Sequence, residues 1–239
     1  MRHKTAIMKQ PSEVIYDTSH WELLTQLRER AASVLSELEH AGFECFIHGS
    51  LARGDVSPGS DIDIIIPGVV QSFRVELAMD DMGITGRKLV QATPGSLVKA
   101  HIYLSRKTMV SFPLTQPTER ELDFYAFGGM IGAEGLEDII NNRVPGVDKR
   151  LMLIEPIAEG HAETPLSDLS PGIAAKRIGV GQEIVEERIR VLQRRAKVGI
   201  TGVYIDRPLA QDEGFEAVLE QIIASDSLVR RRVKNRRRR

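Results

Sequence analysis

Apolar and polar residues alternate along the chain in a way that predicts several short helices and strands. Between residues 19 and 40 apolar residues recur every three or four positions, the spacing of one face of a helix. The runs at 43–47 and 62–66 are short and apolar, the second rich in isoleucine, and both predict strands. Further strands are predicted at 88–92, 97–104, 108–112 and 151–154, and helices at 69–82 and 118–131. The chain is therefore expected to have an α/β (α+β) fold.

The pattern changes after residue 156, which predicts a second domain. Residues 157–170 contain several Gly, Pro, Ser and Asp residues, a composition typical of an interdomain linker. Beyond it the sequence predicts a short helix at 174–178, a turn at 179–181 and a longer amphipathic helix at 182–195. The predicted organisation is a domain at 20–156, a linker at 157–170, a second domain at 171–229 and a basic tail at 230–239.

The amino-acid composition argues against several classes of protein, namely membrane-spanning, secreted, disulfide-rich and cysteine-zinc proteins. With 239 residues, 42% of them hydrophobic, the chain can bury a core. It has no run of roughly 18 to 20 apolar residues, as a membrane span requires, and no apolar stretch near residue 1 that resembles a secretory signal. Its one cysteine, Cys45, excludes an intramolecular disulfide framework and a multi-cysteine zinc site. We therefore expect a cytoplasmic protein without a membrane partner.

The net charge of −1 hides an uneven distribution of charge. Residues 230–239 hold eight of the 32 basic residues and no acidic one, so the rest of the chain is acidic. A basic tail of this kind is able to neutralise nucleic-acid phosphates without reading sequence.

Two aspartates follow a Gly-Ser pair in the stretch 46–66, FIHGSLARGDVSPGSDIDIII. Asp61 and Asp63 lie two positions apart on a predicted strand, so their carboxylates point from the same face. Two like charges on a largely buried strand are costly unless a cation neutralises them. Mg²⁺ (or Mn²⁺) fits, because it commonly combines one or two carboxylates with substrate phosphates. Gly49 and Ser50 offer amides and a hydroxyl for phosphate oxygens, so the stretch predicts a nucleoside triphosphate bridged by a metal.

This stretch resembles the signature of the DNA polymerase beta-like nucleotidyltransferase superfamily, a hydrophobic-Gly-Ser turn followed after about ten residues by Asp-hydrophobic-Asp-hydrophobic. The turn Gly49-Ser-Leu-Ala-Arg53-Gly54 is similar to the Gly-Ser-x-x-Arg-Gly turn of archaeal CCA-adding enzymes and stand-alone archaeal nucleotidyltransferases. The segment Lys99-Ala-His101-Ile-Tyr103 is similar to their His-Pro-Tyr segment. The resemblance implies a small mixed sheet with helices packed against one face. It also implies that Asp61 and Asp63 bind metal and act catalytically, and that Gly49 and Ser50 contact the triphosphate. Arg53 is a further candidate for the phosphates, with an ion pair to Asp55 as the alternative.

The sequence departs from this signature at the third carboxylate, which the family places on the next strand. Ser111 stands at that position, and residues 82–118 contain no Asp or Glu. A serine hydroxyl cannot act as a general base near neutral pH. The alternatives are a carboxylate from the next helix (Glu119, Glu121 or Asp123), His101 as the base, or a domain that binds nucleotide without turnover.

The region after the predicted linker resembles a winged helix-turn-helix, with 197–205 as a hairpin-like wing. Residues 173–199 carry seven basic and three acidic side chains, a balance that suits a polyanion. The candidate nucleic-acid contacts are Arg188, Arg190, Arg194 and Arg195 in the longer helix, with Arg231 and Arg232 in the tail. A small helical appendage that packs on the first domain is the alternative.

Together these features predict an enzyme that transfers a nucleoside monophosphate from a triphosphate to a hydroxyl acceptor and releases pyrophosphate. The likeness to CCA-adding enzymes and the basic C-terminal region favour RNA as the acceptor. Two other functions stay open: a nucleic-acid-binding regulator whose nucleotidyltransferase domain only senses nucleotide, and a protein adenylyltransferase. The missing acid at Ser111 favours the regulator, and the intact aspartate pair favours the enzyme.

Overall fold

A computed structural model describes residues 10–136, 138, 141–199 and 202–237. The chain forms two compact units that are interleaved along the sequence. The first unit comprises Met1–Ala32, Phe46–Ser60 and Glu119–Thr201, and the second comprises Ser33–Cys45, Asp61–Thr118 and Gly202–Arg239. In the described part of the chain, the helices are too short or too polar to cross a bilayer.

Eight α-helices and eleven strands make up the described structure. The helices are α1 (Thr18–His40), α2 (Ser50–Arg53), α3 (Ser72–Ala78), α4 (Glu119–Phe127), α5 (Pro171–Ile178), α6 (Gln182–Val198), α7 (Phe215–Ser225) and α8 (Ser227–Arg237). The strands are β1 (Ser12–Ile15), β2 (Phe46–His48), β3 (Ile62–Ile65), β4 (Gly86–Gln91), β5 (Val98–Tyr103), β6 (Thr108–Pro113), β7 (Met130–Gly132), β8 (Gly146–Val147), β9 (Met152–Ile157), β10 (Gly160–Pro165) and β11 (Ile205–Pro208).

The second unit contains a mixed sheet in the order β11-β4-β5-β6-β3. Strand β3 runs parallel to β6, whereas the β11–β4, β4–β5 and β5–β6 pairs are antiparallel. Its apolar side chains alternate with polar ones along β5, as expected for a sheet with one buried face. On the buried side the ring of Phe112 in β6 packs edge-on against Phe215 in α7, with 5.8 Å between the centroids. This sheet carries Asp63 and the segments that flank it.

The first unit contains a four-stranded antiparallel sheet in the order β1-β10-β9-β8, and it also contains the antiparallel pair of β2 and β7. Helix α6 packs into its hydrophobic core through Ile184, Val185 and Leu192, which are buried with Leu151 and Leu153, and α5 contributes Ala174 and Ala175 to the same core. The amphipathic helix predicted at 182–195 therefore places its apolar side in this core.

The mixture of helices and a mixed sheet confirms the predicted α/β fold class. The predicted helix at 118–131 is shorter than expected, because α4 ends at Phe127 and Gly128–Gly129 turn the chain. Gly129 has a φ of +88°, which a residue with a side chain adopts only with strain. Residues after this turn form β7, whose register pairs Ile131 with Ile47 of β2.

The linker prediction at 157–170 is wrong. Residues 160–165 form β10, which pairs with β1 on one side and β9 on the other. His161 and Glu163 of this strand are buried. The Tyr16 hydroxyl lies 2.6 Å from His161 Nδ1, and Arg150 donates to Glu163 Oε1 at 2.5 Å. Polar residues suggested a linker, but partners distant in the sequence satisfy them inside a sheet.

The predicted domain boundaries also differ from the structure. Each unit consists of three segments, and the segments of the two units alternate along the chain. Helix α5, a turn at Gly179 and helix α6 match the predicted helix-turn-helix elements. The wing predicted at 197–205 is not confirmed: Val198 ends α6, residues 200–201 lie outside the described residues, and Ile205 begins β11, which pairs with β4. The predicted basic tail begins as a helix, α8, and its residues 238–239 lie outside the described chain.

Candidate active site

The aspartate pair lies at the start of β3, between buried isoleucines. Ile62 and Ile64 are buried, whereas Asp63 between them is half-buried and Asp61 before them is exposed. The Ile62 amide donates to the Lys107 carbonyl at 2.6 Å, which ties the start of β3 to the start of β6. Both carboxylates therefore have access to solvent on a strand that the core holds in place.

The register between β3 and β6 shows which residues of β6 lie closest to the aspartate pair, where a third carboxylate could bind the same metal ion. Asp63 pairs with Met109 and Ile65 pairs with Ser111. Residues opposite each other on neighbouring strands share a face of the sheet, so Met109 is the immediate neighbour of Asp63. Ser111 is buried, and its hydroxyl lies 3.5 Å from the Ile64 carbonyl oxygen. Neither Met109 nor Ser111 supplies a metal-binding carboxylate.

His101 and Tyr103 lie on β5, across β6 from Asp63. His101 pairs with Ser111 and Tyr103 with Met109, so both share the face that carries Asp63. The Tyr103 hydroxyl is 3.5 Å from His101 Nδ1. Burial, followed by the positive charges of two nearby lysines, lowers the pKa of His101 to about 4. The imidazole is thus neutral at pH 7 and a weaker base than an ordinary histidine.

The Gly-Ser turn in the first unit precedes the short helix α2. Gly49 has a φ of +76° and a ψ of −137°, a conformation that requires glycine, and its amide donates to the Gly129 carbonyl at 2.9 Å. The Ser50 hydroxyl lies 3.2 Å from the hydroxyl of Ser60, which also accepts from the Ser57 amide. The turn and the end of the following loop are thereby connected by side-chain hydrogen bonds.

Arg28 supports this turn and was not among the sequence candidates. Its side chain is fully buried, and it donates to the carbonyls of Leu51 at 2.7 and 2.9 Å, Ala52 at 3.1 Å and Asn142 at 2.7 Å. Burial lowers its pKa to about 10. The signal that could have found it is its position: Arg28 follows Leu24 by four residues, on the apolar face of the predicted helix.

Arg53 forms the ion pair that was one of its two predicted roles. Its Nε lies 2.9 Å from Asp55 Oδ1, and the guanidinium also donates to the Gly128 carbonyl. Burial raises the pKa of Asp55, and the charge of Arg53 opposes that rise. Because the Arg53 side chain is buried and engaged, the structure favours its structural role, and phosphate binding by Arg53 stays a prediction.

The acidic residues proposed to replace the missing carboxylate lie in α4, in the first unit. Asp123 Oδ2 accepts from the amide of Gly181, the N-cap residue of α6, at 3.1 Å. Glu119 is exposed and Glu121 is half-buried. Asp123 therefore has a structural partner at a helix N-terminus, where a negative charge is favourable.

The candidate nucleic-acid contacts divide into exposed and enclosed arginines. In α6, Arg190 and Arg194 are exposed and Arg195 is half-buried, while the Arg188 guanidinium lies 4.9 Å from the ring centroid of Phe124. In α8, Arg231 is exposed.

Two of the predicted nucleic-acid contacts, Arg188 and Arg232, are not exposed. Arg188 is half-buried, and burial lowers its pKa. Arg232 is buried and donates to the Gln116 carbonyl at 3.4 Å. Both lie on helix faces that pack inward, so their place in a phosphate-binding surface is not supported.

The donor set at Asp61 and Asp63 fits a divalent cation shared with a substrate. The described residues form no group of three or more His, Cys, Asp or Glu side chains able to enclose a metal. A pair of carboxylates with access to solvent suits Mg²⁺ or Mn²⁺, which take their other ligands from water and phosphate oxygens.

Comparison with known proteins agrees with the motif. Residues 28–103, about a third of the chain, match the family model described as nucleotidyltransferase domain. This range contains the Gly-Ser turn and both aspartates. Comparison with curated protein sequences gives no match.

A solved structure titled "Crystal structures of the Cid1 poly (U) polymerase reveal the mechanism for UTP selectivity - MgGTP bound" is similar over 74% of this chain and 69% of that chain. The sequence identity is 12% and the TM-score is 0.28, a likeness too low to bear on this chain. The family match and the aspartate motif carry the assignment. Residues 28–103 therefore form the part of this chain that matches the nucleotidyltransferase domain, the domain that the aspartate motif predicts.

Proposed function

We propose that this protein is a metal-dependent nucleotidyltransferase that transfers a nucleoside monophosphate from a nucleoside triphosphate to a hydroxyl group of RNA. One observation supports this most strongly: Asp61 is exposed just before β3 and Asp63 is half-buried within it, while the other side chains of this strand are buried. A fold that only needed a stable strand would not place two carboxylates beside each other there, because their repulsion is unfavourable without a cation.

In this proposal Asp61 and Asp63 hold the divalent cation. When bound, Mg²⁺ or Mn²⁺ supplies charge neutralisation and orients the phosphates for in-line attack. The core of the second unit fixes the strand, so the carboxylates hold their ligand in one position relative to the sheet. Gly49 and Ser50 are assigned to the triphosphate on the basis of the sequence signature. The Gly49 amide already donates to the Gly129 carbonyl, so the donors to phosphate oxygens are the amide and the hydroxyl of Ser50.

The choice of RNA as the acceptor is supported by exposed arginines on two helices. Arg190 and Arg194 are exposed on α6, and Arg231 is exposed on α8. Residues 227–239 contain no acidic side chain. Contacts between such side chains and phosphates give affinity without sequence specificity.

The test is a transfer assay with each of the four labelled nucleoside triphosphates, Mg²⁺ or Mn²⁺, and total cellular RNA and protein. The variant Asp61→Asn/Asp63→Asn is compared with Asp80→Asn/Asp81→Asn, which removes two exposed aspartates elsewhere in the second unit. We expect labelled RNA from the natural chain and from the Asp80/Asp81 variant, and none from the Asp61/Asp63 variant.

One observation favours a second function, a nucleotide-sensing regulator: neither Met109 nor Ser111 provides the third carboxylate. That function predicts metal-dependent triphosphate binding that requires Asp61 and Asp63, but no transfer to any acceptor. Label that appears in protein instead of RNA would support a protein adenylyltransferase. Triphosphate binding that does not depend on the two aspartates would contradict the proposed site itself.

A further inference from the structure

The turn between β5 and β6 brings two basic residues to the aspartate pair. We define the basic turn as Ser105, Arg106 and Lys107. The Lys107 carbonyl accepts from the Ile62 amide at 2.6 Å, and the following residue, Thr108, pairs with Ile62. Because adjacent strands lie about 4.8 Å apart, the Lys107 backbone is the neighbour of the Asp61 backbone.

The basic turn is held by its own hydrogen bonds. The amides of Leu104 and Ser105 both donate to the Thr108 carbonyl, at 3.0 and 3.3 Å. The Lys107 amide donates to the Ser105 hydroxyl at 3.2 Å. Arg106 and Lys107 are exposed. Two cations are therefore presented to solvent from a defined backbone next to the proposed metal ligands.

Ion pairs distinguish Arg106 in the basic turn from two other basic residues of the surrounding sheet. Residues 83–118 contain five Lys and Arg residues and no acidic residue. Two of these five have carboxylate partners elsewhere in the second unit: Arg87 lies 2.6 Å from Glu76, and Lys88 lies 3.0 Å from Asp206. Arg106 forms no ion pair among the described residues.

The number of carboxylates near the proposed metal site explains why positively charged side chains would help to bind a triphosphate. Asp61 and Asp63 are a pair of carboxylates, enough for one divalent ion, and the neighbouring position on β6 is Met109 rather than an acid. One divalent ion leaves part of the negative charge of a triphosphate unneutralised. Arginine and lysine side chains neutralise phosphate oxygens by charge-assisted hydrogen bonds.

We propose that the basic turn is a phosphate-binding element, in which Arg106 and Lys107 bind phosphate oxygens of the nucleotide whose metal ion is held by Asp61 and Asp63. This inference rests on the proposed function and adds to it two binding residues outside the Gly-Ser turn. The ligand is the triphosphate group of the nucleotide. An RNA acceptor carries the same phosphate chemistry, so the test separates the two sources.

Two double variants remove the same number of positive charges from the second unit. Arg106→Ala/Lys107→Ala changes the basic turn, and Arg231→Ala/Lys234→Ala changes two exposed positions on α8. Equilibrium binding of labelled ATP with Mn²⁺, and of a single-stranded RNA oligonucleotide without nucleotide, is measured for both variants and for the natural chain. Thermal unfolding checks that each variant remains folded.

We expect the basic-turn variant to bind ATP at least tenfold more weakly and RNA within twofold of the natural chain. The α8 variant should bind ATP within twofold. The conservative variant Arg106→Lys/Lys107→Arg keeps both charges and should retain most of the ATP affinity.

Equal ATP affinity in the basic-turn variant and the natural chain would overturn the inference. So would a loss of RNA binding with ATP binding intact, or the same loss of ATP affinity in both double variants. Failure of the proposed function has a different result: the natural chain and Asp63→Asn would then bind ATP with Mn²⁺ equally well.

Discussion

At the scale of single residues, a buried arginine from a distant part of the sequence stabilises the helix that follows the Gly-Ser turn. Arg28 lies in the middle of α1 and donates to the carbonyls of Leu51 and Ala52 in α2. A four-residue helix has no stable conformation of its own, because too few of its hydrogen bonds are internal. The guanidinium satisfies carbonyls that would otherwise be buried without a donor.

Replacing Arg28 by methionine should destabilise the protein by about 3 kcal/mol, since the carbonyls of Leu51, Ala52 and Asn142 each lose a charged donor. Urea denaturation measures the loss. The matched control is Arg30→Met, an exposed arginine on the same helix, which should change stability by less than about 0.5 kcal/mol. Similar losses for the two variants would contradict this role of Arg28.

Replacing His101 by glutamine tests its depressed pKa of about 4. Between pH 6.5 and 4 the unfolded chain binds a proton at His101 and the folded chain does not, so acid favours unfolding. The natural protein should therefore lose up to about 3 kcal/mol relative to His101→Gln as pH falls from 7 to 4.

Urea denaturation of both proteins at several pH values gives this difference. The control is His40→Gln, at an exposed position at the end of α1. If the two histidine variants depend on pH in the same way, the environment of His101 is not what the structure indicates.

Local patterns were enough to propose Asp61, Asp63, Gly49 and Ser50 as site residues, because the signature that contains them lies within one short stretch. Arg53 had two predicted roles that only the position of the Gly128 carbonyl separates. The helical pattern places Arg28 on the apolar face of its helix, but the carbonyls that it binds come from other segments and depend on the fold. The neighbour of Asp63 on β6, Met109, likewise depends on strand register.

At the scale of elements, periodicity located most helices and strands, and failed where polar residues are buried. Strand β10 contains His161 and Glu163, which the sequence alone presents as linker residues. In the fold, Tyr16 and Arg150 satisfy them, and these partners come from other parts of the chain. The helix predicted at 118–131 failed for a local reason, the Gly128–Gly129 turn that separates α4 from β7.

Gly160→Ala tests whether β10 packs against β1 as described. A Cβ at Gly160 would lie 1.8 Å from the Val14 carbonyl oxygen, so one strand has to move. We expect a loss of about 2 kcal/mol or more in the free energy of unfolding. Gly59→Ala, in the same unit, has its nearest contact at 3.8 Å and should be close to neutral. A stable Gly160→Ala protein would contradict the strand pairing.

The exposed basic residues of α8 are expected to contribute to RNA binding. Arg231→Ala/Lys234→Ala should weaken binding of single-stranded RNA and lower the slope of log affinity against log salt concentration by about one to two. Fluorescence anisotropy over a series of salt concentrations measures both quantities. A variant with lower affinity and the same salt slope would mean that these side chains do not contact phosphates.

At the scale of the whole molecule, the segments of the two units alternate along the chain. The second unit takes its sheet and α3 from Asp61–Thr118, and takes β11, α7 and α8 from Gly202–Arg239. Phe215 of α7 is fully buried against Phe112 of β6. Strand β4 lies within residues 28–103, the stretch that matches the family, and pairs with β11, so this stretch depends on residues far outside it.

A fragment of residues 20–156, the predicted first domain, should not fold as a stable protein. It lacks β11 and α7, so Phe112 and the edge of β4 lose their partners. Circular dichroism during heating should show a broad transition for the fragment and a cooperative one for the full chain. A cooperative transition in the fragment would contradict the dependence of the second unit on its C-terminal segment.

The pairing of β11 with β4 also affects the order of events during synthesis on the ribosome. The aspartates emerge early, but β11, α7 and α8 emerge only after the whole of the first unit has been translated. Until then the edge of β4 is unpaired and Phe112 lacks its aromatic neighbour, a state prone to association with other chains. The nascent protein therefore passes through a period in which the segment with Asp61 and Asp63 has been made but its sheet still lacks the last strand.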